Sequence, residues 1–202
     1  MTSRLPTFVA AVLVLAVSVW LGYPDRGVAT PRVMPVESEA SEDEEPVLLG
    51  PLARGEIEAA VPDWVEAEME AQADLDAAVL LESAFDGAEV VVFMGTWCSD
   101  SRRELARLWR ALDDIGADHP GQMSYIGVDR DKQEPSALVD GHDLLYVPTF
   151  IVRRDGHEVG RIVEESPSGI EVDLLALLSG EKKGLVTAKE ELLDENDAEQ
   201  EE

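Results

Sequence analysis

The run Val90, Val91, Val92, Phe93, Met94, Gly95, Thr96, Trp97, Cys98, Ser99, Asp100, Ser101 decides how this chain folds. Its first five residues are apolar without a break and begin with three β-branched side chains, which predicts a strand buried on both faces. Gly95 ends the run. Beyond Cys98, the positions Leu105, Leu108, Trp109, Leu112 and Ile115 recur at helical spacing. They predict a helix to about Ile115 with one buried face, leaving Arg103, Arg107 and Arg110 on the other side. Cys98 therefore stands where a buried strand feeds a helix.

Working outward, Pro62 to about Ala84 reads as a helix, with Pro62 at a permitted first-turn position and Val61, Val65, Met69, Leu75 and Val79 as its apolar stripe. Downstream, a strand is expected from Met123 to Val128, a short helix from Pro135 to about Gly141, and a strand from Thr149 to Arg153. Asp155-Gly156 then marks a hairpin, because both residues tolerate the positive backbone angles of a tight primed turn. Its second strand runs from Glu158 to Val163, and a last helix from Ile170 to about Leu178 stops at Gly180. Strands joined by helical crossovers, followed by an antiparallel pair and a closing helix, make an α/β three-layer sandwich with a central mixed sheet and helices on both faces.

Composition limits the chemistry. The 202 residues include 43 acids against 16 Lys plus Arg, a formal charge of −27. Such a field repels phosphate backbones and anionic headgroups, so no nucleic-acid partner and no electrostatic membrane-surface partner is expected. Cys98 is the one cysteine in the sequence. An internal disulfide, a Cys-rich zinc site and a self-contained four-thiolate cluster are thereby excluded. His119, His142 and His157 are scattered and read as surface residues, and Asp129 to Lys132 reads as a solvated turn. No metal and no cofactor is expected.

A thiol reacts as its thiolate, and a free cysteine ionises near pH ~8.5, so a nucleophile at neutral pH needs local positive potential. The open N–H groups and the dipole at a helix start supply some of it. Arg102 and Arg103 add to it or not according to where they point, and Asp100 opposes it.

The turn from Phe93 to Arg102 resembles the active-site turn of the thioredoxin superfamily, and Val147, Pro148, Thr149 resembles its cis-proline loop. The strings GTWCSDSRRE, VDRDK and VPTFIVRRDGHEVGRIVEESP are similar to a bacterial thioredoxin-like branch in which serine replaces the second cysteine. The resemblance covers roughly residues 62 to 180. It implies Cys98 as nucleophile with Ser101 beside it, and Trp97, Val147, Pro148 and Thr149 as the substrate-binding surface. A cis bond before Pro148 would turn the Val147 backbone toward an extended substrate, to be paired as an added strand.

Departures from that pattern narrow the expected activity. A hydroxyl at Ser101 cannot resolve a mixed disulfide, so an intramolecular dithiol cycle is ruled out. The buried acid that thioredoxins commonly place six residues before the nucleophile is here Val92. Monothiol glutaredoxins also pair Cys with Ser, but this chain lacks a lysine before Cys98 and continues from its hairpin into Glu164, Glu165, Ser166, Pro167. Glutathione binding and a shared iron–sulfur cluster are therefore not expected.

Four segments are expected in the chain. Residues 1–29 carry Arg4 and the apolar run Phe8 to Gly22, the size of a secretory leader or of an anchor formed by residues 5–23. Residues 30–58, acidic and Pro-rich, read as a disordered linker, 59–181 as the thioredoxin-like domain, and 182–202 as an acidic disordered tail. The expected setting is the cell envelope, periplasmic or secreted, with membrane contact only through an uncleaved N-terminal segment. The expected partners are protein or small-molecule thiols and disulfides. The competing expectation is a redox-inactive binding module that uses the proline groove to hold a protein. A purely structural envelope protein ranks behind both.

Overall fold

A computed structural model describes residues 45–117 and 122–194. The leader expected at 1–29, most of the expected linker, His119 and the last residues of the expected tail lie outside them. The described chain runs β1 (Gly50–Leu52), α1 (Arg54–Ala60), α2 (Asp63–Glu70), α3 (Leu75–Ala84), β2 (Ala88–Met94), α4 (Ser99–Asp114), β3 (Met123–Gly127), α5 (Ser136–Val139), β4 (Thr149–Arg154), β5 (His157–Val163), α6 (Ile170–Ser179) and β6 (Gly184–Val186). The six strands form one mixed sheet in the order β1-β3-β2-β4-β5-β6. Strand β2 lies parallel to β3 on one side and antiparallel to β4 on the other, so its continuous apolar run is buried from both faces.

Alternation along β2 divides the interior. Val90, Val92 and Met94 face the larger cluster with Trp64, Leu81, Leu105, Trp109, Leu174 and Leu177, drawn from α2, α3, α4 and α6. Phe93 faces the other way, into a smaller cluster with Val128, Val139, Val147 and Ile151, which Val91, Trp97 and Cys98 adjoin. The sandwich is lopsided: among the described residues, the helix that contributes to that second cluster is the four-residue α5. The cysteine turn thus sits where the sheet is thinly covered. Among the described residues no helix is long and apolar enough to cross a membrane.

From β2 to α6 the elements agree with the sequence reading to within a residue or two. Asp155 and Gly156 take φ values of 53° and 77°, the primed turn that the Asp-Gly pair predicts. Gly180 closes α6 in the left-handed conformation.

Three expectations need correction. The single helix over 62–84 is two helices, because Ala71 is extended and Asp74 starts α3 by accepting the Ala77 N–H at 3.0 Å. The phase of the apolar stripe changes at that break. Met69 is 73% exposed and Val79 60% exposed, while the buried face is Trp64, Ala77, Ala78, Leu81 and Phe85. The fold also begins before residue 59: β1 pairs antiparallel with β3, and α1 buries Ile57, all inside the stretch expected as a linker. It continues past 181, where β6 pairs with β5 and residues 190–194 are helical within the stretch expected as a tail. Finally, His142 is half-buried, its ring tilted 50° to that of Phe93 with centroids 4.9 Å apart, and Arg153 lies 3.3 Å from its Nδ1.

Candidate functional site

Cys98 is the N-cap residue of α4, with extended backbone angles of −97° and 121°. Its N–H donates to Gly95 O at 3.0 Å, which tightens the turn, and its carbonyl accepts the Arg102 N–H, which starts the helix. The 16-residue α4 therefore points its positive end toward the sulfur's side of the turn. The thiol is half-buried, and its Sγ lies 3.3 Å from Val147 O. The Val147–Pro148 peptide bond is cis. These contacts bring Cys98, Trp97, Val147 and Pro148 together.

Ser101 lies in the first turn of α4. It is fully buried, and its Oγ accepts the Gly95 N–H at 3.2 Å. Thr149 is also buried and donates its hydroxyl to Tyr146 O at 2.7 Å, so it fastens the loop that carries Pro148. Val92 points into the larger core, where a buried acid is absent from β2.

Trp97 forms one wall. Its Nε1 donates to Val128 O at 3.1 Å, and its ring packs so closely on Gly95 that a Cβ there would lie 2.6 Å from Cε2. Glycine at 95 is therefore a requirement of packing. Across the exposed side of the ring, the Arg130 guanidinium carbon lies 5.2 Å from the centroid.

The sequence reading does not pick out Thr96, yet it anchors the turn. Its hydroxyl donates to Pro46 O at 2.5 Å and accepts the Leu48 N–H at 3.2 Å, while its carbonyl accepts Trp64 Nε1–H at 3.3 Å. Residues 45–49 thus form a strap across the cysteine turn before entering β1. No local pattern flags Thr96, because its partners are 32 to 50 residues away in sequence.

Charges around the site are largely matched. Arg102 is held by Glu45 at 2.8 Å and Asp63 at 3.6 Å. Arg103 is held by Asp100 at 2.5 Å and Glu104 at 3.1 Å. Burial pushes the Glu104 carboxyl up to about 6, with Arg103 pulling the other way. Glu164 follows β5 with φ 59°, donates its N–H to Pro148 O at 2.8 Å, and is raised by burial and by the nearby carboxylates Asp100, Glu191 and Glu165. Lys189 pulls the Glu164 carboxyl the other way, and both Lys189 and Arg103 lie 4.0 Å from Glu165. Among the described residues no group of three or more His, Cys, Asp or Glu is placed to hold a metal ion.

A mixed α/β sheet with a cysteine at a strand-to-helix turn, facing a cis-proline loop, defines a thioredoxin-like fold. Comparison with known proteins agrees. Thioredoxins from several strains of Staphylococcus aureus are 30% identical over 81 residues, a span of 40% of this chain and 72% of theirs. The chain belongs to the thioredoxin-like superfamily. No family model matches it. A crystal structure of a Pseudomonas aeruginosa protein of unknown function is 15% identical, with a TM-score of 0.42 covering 64% of this chain and 88% of that one.

Proposed function

We propose that this is an exported thioredoxin-like protein that exchanges disulfides through one thiol. The observation that carries the reading is Cys98 itself: half-buried at the start of α4, with Sγ 3.3 Å from the carbonyl that precedes the cis proline. In the first step the Cys98 thiolate attacks one sulfur of R–S–S–R′. The S–S bond breaks, R′S⁻ leaves with the electron pair, and Cys98–S–S–R remains. Because position 101 is a hydroxyl, resolution comes from outside. An external thiolate R″S⁻ attacks the substrate sulfur, Cys98 leaves as thiolate, and R–S–S–R″ carries the oxidation away.

Partners of this chemistry are protein or small-molecule thiols and disulfides, met in the cell envelope. The apolar run Phe8 to Gly22 supports export. The bonding of Ser101 to Gly95, in a site with no second thiol, also fits a groove that holds a polypeptide without turnover.

Alkylation at pH 7 followed by mass spectrometry tests the exchange reading. Cys98 should react faster than the cysteine of an unstructured peptide, and a mixed disulfide should persist under acid quench until a reductant is added. A native Cys98 indifferent to the reagent defeats it. If Cys98→Ser then retains capture of the same cellular partner, the groove is a binding module.

A further inference from the structure

The basic residues of this chain are outnumbered, and many of those described are held in ion pairs. Arg54, Arg102, Arg103, Arg107, Arg110 and Arg161 each hold at least one carboxylate. Arg130 holds none among the described residues, although acids outnumber bases 43 to 16 in the sequence. Among the described residues it lies over the face of Trp97, the residue next to the nucleophile.

The local structure keeps it that way. Asp129, its neighbour in sequence, turns its carboxylate back onto the loop, where Oδ1 accepts the N–H groups of Gln133 at 2.7 Å and Glu134 at 2.9 Å. The indole beneath is fixed by its bond to Val128 O and by its contact with Gly95. A guanidinium held over a ring face by cation–π attraction keeps N–H donors free for the fork that fits a carboxylate. Glu164, whose N–H donates to Pro148 O, is near Glu165 and Asp100, and these acids already have cations in Arg103 and Lys189. For an anionic group approaching Cys98, the cation that holds no carboxylate among the described residues and lies over the residue next to the nucleophile is Arg130.

We propose that Arg130, stacked on Trp97, is a specificity-determining residue that binds a carboxylate carried by the disulfide attacked at Cys98. The preferred substrates are then carboxylate-bearing disulfides, with the acid a few bonds from the sulfur. This rests on the exchange reading above. The step balances as before: the Cys98–S bond forms, the substrate S–S bond breaks, and the acid-bearing thiolate leaves. A small thiol acid and an acidic residue beside a polypeptide cysteine offer the same chemistry.

The test uses the full chain and its R130Q and R130K variants at about 0.15 M salt, where long-range fields are damped. Second-order rates of Cys98 are measured with anionic 3,3′-dithiodipropionate and with neutral 2-hydroxyethyl disulfide. A parallel arm uses two peptide disulfides that differ by Asp or Asn next to cysteine. The readout is the ratio of anionic to neutral rates within each protein, from which any general change in thiol reactivity cancels. R130Q should lower the ratio about five-fold, as expected when a well-placed surface ion pair is lost, and R130K should restore part of it. The arm that shows the drop identifies the source of the carboxylate. A ratio unchanged in R130Q in both arms overturns the assignment of Arg130 while leaving exchange intact. A wild-type Cys98 no faster with the neutral disulfide than an unstructured thiol defeats the exchange reading, and the assignment with it.

Discussion

At Gly95 the missing side chain is what lets Trp97 lie flat. A methyl group there would fall 2.6 Å from Cε2 and 2.9 Å from Nε1 of the indole, so Gly95→Ala must push the ring off Val128 O. The expected cost is about 1–3 kcal/mol, the usual penalty of overpacking, read by urea denaturation. Tryptophan fluorescence should change with it. Ser101 offers a cleaner pair of substitutions. Ser101→Ala leaves the buried Gly95 N–H without its acceptor and should cost about 1–3 kcal/mol in the same measurement. Ser101→Cys instead supplies the absent resolving thiol. Mixed disulfides trapped on Cys98 should then decay without added reductant, and quench followed by mass spectrometry measures their lifetime.

Among the elements, the α2–α3 pair separates what the apolar pattern can reveal from what it cannot. The stripe Val61, Val65, Met69, Leu75, Val79 has helical spacing, but it extends one phase across residues where the backbone opens. Asp74 was the available signal, an N-cap type directly before Leu75. On the structure, Val79→Lys should change stability by less than about 0.5 kcal/mol, whereas Leu81→Ala should cost about 2–5 kcal/mol, both checked by thermal or urea melts. β2, α4 and the β4–β5 hairpin were legible because each is specified by its own residues: a buried apolar run, a one-sided helix and an Asp-Gly turn. β1 and α1 were not, since a three-residue edge strand and a seven-residue helix need only Gly50, Leu52 and Ile57 to dock. Acidic, Pro-rich composition hides so small a commitment. In the site, Cys98 at a strand-to-helix turn was readable from local sequence, whereas the cis bond before Pro148 followed from the family resemblance. The bond of Ser101 to Gly95, the Thr96 anchor and the Arg130 stack depend on tertiary contacts and were not readable. Thr96→Val removes both bonds to the strap and should speed amide exchange at Leu48 while sparing the amides of β2.

For the molecule as a whole, pH should act in an unusual direction. Burial raises the carboxyls of Glu68, Glu164 and Glu171 above their ordinary range, and that of Glu104 to about 6. A carboxyl raised on folding binds its proton more readily in the native state. Its contribution to stability is full below the unfolded value near 4.5 and is lost as pH rises through the folded value. For Glu104 this amounts to about 2 kcal/mol between pH ~4.5 and pH ~6. Asp129 and Asp173 act oppositely. Backbone N–H groups from Glu134 and Gln133 hold Asp129 low. Burial works against Asp173, but bonds from Lys182, Ser166 and Ser168 hold it low as well. Their contribution is present above about pH 3.8 and fades below it. The thermal midpoint should therefore be higher at pH 5 than at pH 7.5 in scanning calorimetry, and Glu104→Gln should help more at pH 7.5 than at pH 4.5.

The two ends of the described chain come back to the same rim. Glu45 is clasped by Arg102 and Pro46 by Thr96, while the Ala188 N–H donates to Glu165 O, next to the residue that bonds Pro148. A cysteine peptide grafted just upstream of Glu45 would consequently meet the sulfur as a tethered neighbour, at an effective concentration of order millimolar. Capture by encounter becomes ring closure, and the graft's length becomes a ruler for how far a client may reach.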